Sequence, residues 1–345
     1  MALNVIDELN YVGPINPSVI LWQKALSKFL RVAGVPGDFY FFSQQRLNAI
    51  AGDVHAGSRL NARLDFFHGF TPWILTAPAR RYVAWSDCTF RDYINIFHKR
   101  DHFRQSDLDR IESAEAAWLK SAHGVLFPTR WAAERAIEAY GLDATHTESV
   151  GIFGELDEPA HDTYAGSKEF AFVATNFEAK GGHVVLSALQ ELRGRHPETT
   201  LTVIGEKPSN VSVPPGVEFF GFLRKEVPDE YEKYRQVLSR VRALVHPTKS
   251  DIAPLIIIEA GYFGCPVISS RRFAIPELVD DGRTGILLDD PSNVAMVTGA
   301  MNWMLENEDR YFQMRKAAWA KVRGEHSKAQ FRERLCAVVR RALPE

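Results

Sequence analysis

Short apolar runs alternate with longer amphipathic segments through the first half of the chain. The short runs predict buried strands, and the segments whose apolar residues recur every three or four positions predict helices. Such alternation is typical of a parallel sheet covered by helices on both faces, whose ligands bind at the carboxyl ends of the strands. The predicted strands are residues 3–6, 39–42, 64–67, 82–85 and 124–127, and the predicted helices are 19–32, 44–51, 106–121 and 131–140.

The same alternation returns after residues 153–167, an aperiodic stretch rich in Gly, Glu, Asp and Pro that we interpret as a linker. Helical periodicity then continues from residue 292 to the end, with a bend near 324–327. The strands predicted in this half are residues 170–174, 201–205, 219–222, 242–246 and 266–269. We therefore predict a Rossmann-like domain at residues 1–155, a second at 168–320 and a C-terminal helical segment at 321–345.

Composition agrees with a two-domain globular protein. The length of 345 residues and the 46% hydrophobic content suffice for two ordinary cores, and a net charge of -2 gives no bulk attraction to nucleic acid. The three cysteines are far apart in sequence and odd in number, so we expect a reducing compartment without disulfides. The pattern contains no membrane span or signal peptide, so we expect a cytoplasmic protein.

One carboxylate, Glu259, stands inside the most apolar predicted helix, which begins at Pro254. An unpaired charge there would cost several kcal/mol, so the carboxylate must have a partner. Two hypotheses are open: Glu259 accepts hydrogen bonds from a ribose, or it belongs to a buried ion pair with Arg271 or Arg272. In the first hypothesis Asp251 faces a sugar at the helix mouth, and the free amides between the two carboxylates bind a diphosphate.

The residues around this helix form a longer pattern. Its positions are Asp251, Glu259, Ala260, Gly264, Pro266-Val267-Ile268, Pro276-Glu277, Asp281-Gly282 and Gly285. The pattern resembles the nucleotide-sugar half of family-four GT-B glycosyltransferases. It departs from that family where Asp251 replaces a glutamate and where Phe273 and Ala274 replace glycines.

The resemblance implies an α/β GT-B fold: two Rossmann-like domains with parallel sheets that face a central cleft, and a last helix that packs back on the first domain. It also implies hexose transfer, with retention at the anomeric carbon, from a UDP- or GDP-linked sugar. The acceptor would be a hydroxyl of a saccharide or lipid-linked molecule, as in polysaccharide biosynthesis. The nucleotide sugar is the substrate, and no further cofactor is expected.

The loop NFEAKGG resembles the family's Lys-Gly motif, in which a lysine reaches the donor diphosphate. The ammonium of Lys180 suits this role, and Gly181 lets the backbone approach the phosphates. The arginine that the family carries shortly before this lysine is Thr175 here, so a second cation is needed. The candidates for it are Lys249, Arg271 and Arg272. The helix mouth would add contacts from Ile252, Ala253, Pro254 and Leu255.

Two predicted strand ends in the first half carry polar side chains. The segment from Asp87 to Phe90 resembles a subgroup of the family that has Asp-x-Thr-Phe where others have a histidine near the anomeric carbon, which implies a catalytic role for Asp87. A helix cap is the alternative interpretation of Asp87. His68 and Asp251 are the other catalytic candidates, although a lone histidine beside an apolar strand is more often structural.

The segment 97–104, FHKRDHFR, is basic and aromatic. It could meet an anionic lipid-linked acceptor or a membrane surface peripherally, or it could be a solvated loop. Asp107 and Asp109 imitate a metal-binding Asp-x-Asp, but they stand at a helix start, where acidic side chains favour the helix dipole. We therefore expect no metal site.

Two other functional classes stay open from the sequence. A nucleotide-sugar epimerase shares the architecture and would use Asp87 and His68 as its acid and base. A catalytically weak GT-B partner subunit would explain why Thr175 and Asp251 depart from the family pattern.

Overall fold

The chain forms two units in a computed structural model that describes residues 13–57, 62–209 and 211–343. The first unit ends at Gly151 and resumes at Phe331, and the second is Ile152–Gln330. The strand predicted at residues 3–6 lies outside the described residues. No helix in the described ranges is long and apolar enough to cross a bilayer.

The first unit is built on a parallel sheet of four strands in the order β1-β2-β3-β4. Its strands are β1 (Asp65–His68), β2 (Tyr82–Trp85), β3 (Gly124–Phe127) and β4 (Thr147–Ser149). Its helices are α1 (Leu21–Val32), α2 (Gln44–Gly57), α3 (Phe90–Phe97), α4 (Gln105–Lys120) and α5 (Arg130–Tyr140), joined by the greater part of α12 (Lys328–Ala342). The strands predicted at 82–85 and 124–127 are confirmed, because fully apolar runs of this length are buried on both faces.

The strand predicted at residues 39–42 is wrong. Tyr40–Phe42 forms one turn of 3-10 helix, and the ring of Phe39 stacks on that of Phe42 with 5.6 Å between centroids. The two rings are three positions apart and both are buried, whereas a strand would point them to opposite faces. Packing against Phe90 and Phe103 therefore decides the backbone conformation here.

The second unit is built on a parallel sheet of six strands in the order β10-β9-β8-β5-β6-β7. Its strands are β5 (Glu169–Ala174), β6 (Thr200–Gly205), β7 (Val217–Gly221), β8 (Ala243–His246), β9 (Val267–Ser270) and β10 (Gly285–Leu288). Its helices are α6 (Gly182–Arg193), α7 (Pro228–Arg240), α8 (Leu255–Tyr262), α9 (Ile275–Leu278), α10 (Val294–Glu306) and α11 (Glu308–Glu325). Residues 152–167, without helix or strand, belong to this unit.

Two apolar cores cover the faces of this second sheet. Phe170 and Phe172 of β5 point into one core with residues of α6 and α10, while Ala171 between them points into the other with residues of α7 and α8. The alternation follows from the two-residue period of a strand. Both faces of the sheet are therefore buried, and the ends of its strands remain for ligands.

The strand order places a topological switch point between β5 and β8. The chain proceeds outward from β5 through β6 and β7, then returns to the other side of β5 as β8 and continues through β9 and β10. The loops after β5 and β8 diverge from this point, and ligands of open parallel sheets bind in the crevice that forms there. Lys180 follows β5, and Asp251 follows β8.

Candidate functional site

The loops after β5 and β8 approach each other closely at the switch point. Gly181 has a φ of 85°, and a Cβ added to it would lie 2.8 Å from the carbonyl oxygen of Pro247. This contact requires a glycine, because a side chain would meet backbone atoms. The close approach brings Lys180 to Asp251, and their side chains form an ion pair.

Asp251 is held from its other side by His246, which the sequence analysis did not include among the site residues. His246 ends β8 and is 2% exposed, and its Nε2 lies 2.9 Å from Asp251 Oδ2. Burial pushes the pKa of Asp251 up, but the hydrogen bonds and charges of His246 and Lys180 outweigh it and hold the pKa well below its ordinary value. Asp251 is therefore an ionised acceptor between two donors.

The N-terminus of α8 lies beside this ion pair in sequence. The helix begins at Leu255, one position later than predicted, and Pro254 is its N-cap with extended backbone (ψ 121°). The first N–H groups of a helix have no acceptor within the helix. Lys180 pairs with Asp251, four residues before the start of this helix, and a cation close in the chain to free helix amides is a combination that suits an anion.

Glu259 lies inside α8 and is 1% exposed. Its Oε1 accepts a hydrogen bond from the Glu155 amide at 3.0 Å and an ion-pair contact from Lys225 Nζ at 2.5 Å, and its Oε2 accepts from Tyr234 Oη at 3.3 Å. A buried ion pair is therefore present, but its cation is Lys225. The predicted partners, Arg271 and Arg272, are wrong.

Arg271 follows β9 and is bound by two carboxylates, with its Nε 2.8 Å from Asp289 and its other end on Asp281. Its guanidinium is thus neutralised locally, which makes it a poor second cation for a diphosphate. Arg272 and Lys249 are exposed. Contact of any of the three with a ligand stays a prediction.

One of the two positions where the resemblance lacks a glycine keeps a glycine-like backbone. Phe273 has a φ of 53°, in the left-handed region that bulky residues rarely adopt. The amide of Ala274 donates a hydrogen bond of 3.2 Å to the carbonyl of Ile252. The loop after β9 is therefore tied to the mouth of α8 in spite of the missing glycines.

The predicted residues of the first unit lie at the ends of two adjacent strands: His68 ends β1, and Asp87 follows β2. The ring of His68 stacks on that of Trp85 at 4.9 Å between centroids, and burial lowers its pKa. Asp87 is exposed, and its Oδ1 accepts a hydrogen bond of 3.3 Å from the Ser86 hydroxyl. The helix-cap interpretation of Asp87 is wrong, because Thr89 caps α3 by accepting from the amide of Asp92.

A buried carboxylate, Glu115 of α4, accepts hydrogen bonds from the segment that follows His68 and from the segment that follows Asp87. Its Oε1 accepts from Thr71 Oγ1 at 2.6 Å, and its Oε2 accepts from the Phe90 amide at 2.6 Å and from Tyr140 Oη at 2.9 Å. Thr71 follows β1 and Phe90 follows β2, so one side chain joins both strand ends. The sequence analysis missed Glu115, since it lies within an ordinary amphipathic helix.

The segment 97–104 is less basic in the structure than in the sequence. Arg100 pairs with Glu112 at 2.8 Å, Arg104 pairs with Asp38 at 2.8 Å, and Phe103 is buried in the core. Asp107 accepts from the Phe39 amide at 2.8 Å and pairs with Arg110, which accounts for its charge at the start of α4. Within the described ranges, no group of three or more His, Cys, Asp or Glu side chains could hold a metal ion.

We predict that Glu115 makes the stability of the protein depend on pH. Burial raises its pKa from 4.5 to about 7, so the folded state keeps a proton that the unfolded chain releases. This contribution is complete below about pH 4.5 and is lost as the pH rises to about 7, with a slope of up to about 1.4 kcal/mol per pH unit. Urea unfolding of the wild type and of Glu115→Gln, compared at each pH, measures it.

The control is Glu138→Gln, which removes an exposed carboxylate from α5 of the same unit. Its difference from the wild type should change little across this range. A difference between the wild type and Glu115→Gln that stays constant from pH 4.5 to pH 7 would contradict the raised pKa of Glu115.

A family of known proteins resembles most of the second unit. The sequence model of the family described as Glycosyl transferases group 1 matches residues 155–321. The matched segment contains Lys180, His246, Asp251 and Glu259. Every member of the site at the switch point therefore lies within the family domain.

Curated relatives match over a similar length. A D-inositol 3-phosphate glycosyltransferase of Corynebacterium kroppenstedtii is 27% identical over 172 residues, which are 46% of this chain and 36% of that protein. A GDP-mannose-dependent alpha-(1-6)-phosphatidylinositol monomannoside mannosyltransferase of Mycolicibacterium smegmatis is 29% identical over 157 residues, 43% of this chain and 39% of that protein. The chain thus aligns with little more than a third of each relative.

A solved structure extends the likeness to the fold of both units. Anabaena HepE in complex with UDP has a TM-score of 0.63 at 17% identity, over 85% of this chain and 81% of that chain. The α/β GT-B fold class predicted from the sequence is confirmed. Residues 155–321 thus match the sequence model of the glycosyl transferases group 1 family, and the likeness of the chain to HepE is one of fold.

Proposed function

We propose that the protein transfers a hexose from a UDP- or GDP-linked donor to a hydroxyl of a saccharide or lipid-linked acceptor, with retention at the anomeric carbon. In this reaction the bond between the anomeric carbon and the diphosphate oxygen breaks, and a bond to the acceptor oxygen forms. The diphosphate leaves with the electron pair of the broken bond, and one of its oxygens takes the proton of the acceptor hydroxyl. The nucleotide sugar is a substrate, and we propose no further cofactor.

The observation that carries the proposal is the Lys180–Asp251 ion pair beside the start of α8. An ammonium and free helix amides at the switch point of a parallel sheet together suit a diphosphate. They would also stabilise the charge that develops on the leaving diphosphate, the task that a metal performs in other transferases. The names of the relatives support the donor class, since one is a GDP-mannose-dependent enzyme and HepE was solved with UDP.

Binding of a diphosphate would redistribute the bonds of Asp251. A phosphate would compete with the carboxylate for the ammonium of Lys180 and so weaken the bond between Lys180 and Asp251. Asp251 would then turn its freed oxygen, Oδ1, to hydroxyls of the donor sugar. His246 would keep the other oxygen, Oδ2, in place and thus act as a positioning residue.

A ribose would meet Glu259 at the far side of the diphosphate in this proposal. Its Oε1 is already bound by Lys225 and the Glu155 amide, so a ribose hydroxyl would bond to Oε2 beside Tyr234. A carboxylate oxygen can accept a second hydrogen bond. The ion pair with Lys225 and a ribose contact are therefore compatible uses of one side chain.

The alternative classes receive less support. The named relatives are transferases, which disfavours an epimerase. An epimerase would also rely on His68, whose ring is packed against Trp85. The departures at Thr175 and Asp251 suggested a catalytically weak partner subunit. However, Asp251 is ionised and accepts a hydrogen bond from His246, so its carboxylate can accept hydrogen bonds as the family's glutamate would.

Replacement of Lys180 tests the diphosphate contact. Lys180→Ala should weaken binding of a nucleoside diphosphate about 10- to 100-fold, because one charge-assisted hydrogen bond is lost. Binding of the corresponding nucleoside should change little, since it carries no phosphate. Calorimetric titration measures both, and Lys316→Ala, which removes an exposed lysine from α11, is the control. Equal losses for both ligands would rule out the assignment.

Turnover in excess chelator tests the chemistry. We expect transfer to continue without a divalent metal, and we expect Asp87→Asn to bind donor almost normally while its kcat falls at least about tenfold. Ser86→Ala, which changes the neighbour of Asp87, is the control for folding of this loop. Loss of activity on chelation that magnesium or manganese restores would refute the metal-independent mechanism. A fully active Asp87→Asn would remove that residue from the site.

A further inference from the structure

Helix α1 turns its apolar side away from the first unit. Trp22 is 63% exposed, Phe29 is 68% exposed and Val32 is 82% exposed, and Leu21 and Leu26 are exposed with them. We call these five residues the α1 apolar face. The side of the helix that packs inward contains Ser27, which is buried and lies close to the backbone of Gly37. A helix that served only the core would place these faces the other way round.

The cations of α1 line the border of this face. Lys24, Lys28 and Arg31 follow one another at helical spacing, and the helix contains no acidic residue. None of the three forms an ion pair with a side chain in the described part of the chain. The helix is therefore amphipathic with a Trp- and Phe-bearing side and a purely basic side.

Other exposed aromatic residues lie on α3 of the same unit. Tyr93 and Phe97 of α3 are exposed, and both rings meet each other at 5.5 Å between centroids. The ring of His98 packs on Tyr93. Burial is the main cause that lowers the pKa of His98, and the positive charge of Arg31 lowers it further. Exposed aromatic side chains of the first unit are therefore not confined to α1.

We propose that the α1 apolar face lies in the surface of a membrane that contains anionic lipids. A helix with Trp, Phe and Leu on one side and Lys and Arg on the other is suited to lie in the plane of the interface. Anionic headgroups would attract the three cations, which have no other partner among the described residues. A second copy of the chain fits less well, because a symmetric pair would bring the same basic borders together.

This inference extends the proposed function, since a lipid-linked acceptor would be presented at such a surface. It also moves the membrane contact from the segment 97–104, whose arginines are paired, to α1. Vesicle binding needs neither donor nor acceptor, so it can fail while transfer succeeds, and the reverse also holds. The two proposals are thus separable by experiment.

Co-sedimentation of the full chain with vesicles tests the proposal. The vesicles are phosphatidylcholine alone, or phosphatidylcholine with phosphatidylglycerol, and binding is expected only to the second kind. Trp22→Ser/Phe29→Ser should abolish most of this binding, and Lys24→Gln/Lys28→Gln should weaken it about 30-fold, because each cation near an anionic surface contributes about fivefold. Phe222→Ser, which removes a 60% exposed ring of the second unit, should bind like the wild type.

Each other result would overturn the proposal. Wild-type chain that stays in the supernatant with anionic vesicles excludes a membrane role for α1. Binding that Trp22→Ser/Phe29→Ser retains places the contact elsewhere. Sedimentation equilibrium without lipid tests whether the α1 apolar face binds a second copy of the chain. A wild-type dimer that is monomeric in Trp22→Ser/Phe29→Ser would assign the face to that second copy. The circular dichroism of each variant, equal to that of the wild type, confirms that these exposed positions leave the fold intact.

Discussion

The proposed chemistry of the second unit depends on the ion pair between Lys180 and Asp251. This ion pair exists because β5 and β8 are neighbours in the sheet and because Gly181 allows the loops that follow them to touch. His246 fixes the carboxylate from the other side, and the low pKa of Asp251 keeps it charged. A lysine held in this way is ordered in advance, so an arriving phosphate need not immobilise a free side chain. In the proposed function, the strand order of the sheet thus holds Lys180 ready for a phosphate.

Each unit has a buried carboxylate that connects a helix to a loop by hydrogen bonds, but the two carboxylates are stabilised differently. Glu259 is balanced by the charge of Lys225 and ties residues 154–155 to α8. Glu115 has three neutral donors and no cation in contact, so burial raises its pKa to about 7. The free-energy cost of burying a charge is offset at Glu259 by the positive charge of Lys225, and it is reduced at Glu115 by protonation of the carboxylate. Each carboxylate holds in place a loop that carries a candidate functional residue or lies beside one.

The sequence predicts local features well and long-range partners poorly. Fully apolar runs such as residues 124–127 specify a buried strand, and the lone carboxylate in α8 specified that a partner exists. Lys225 could not be identified as that partner, because it lies outside the helix and reaches Glu259 only through the packing of α7 and α8. Residues 39–42 were misassigned because ring packing outweighed β propensity. The pattern of α1 predicted a helix, but only the tertiary structure shows that its apolar side faces outward. His246 had one visible signal, a polar residue at the end of an apolar strand.

Thermal unfolding with a panel of UDP- and GDP-linked sugars tests the central claim, that the switch point of the second unit binds a nucleotide-sugar donor. A ligand that binds the folded state alone stabilises it by about 2.7 kcal/mol at 100 times its dissociation constant, which is a readily measured rise in Tm. We predict such a rise for at least one nucleotide sugar and for its nucleoside diphosphate, and none for the free sugar. A Tm that no member of the panel raises, at concentrations up to several millimolar, would contradict the account.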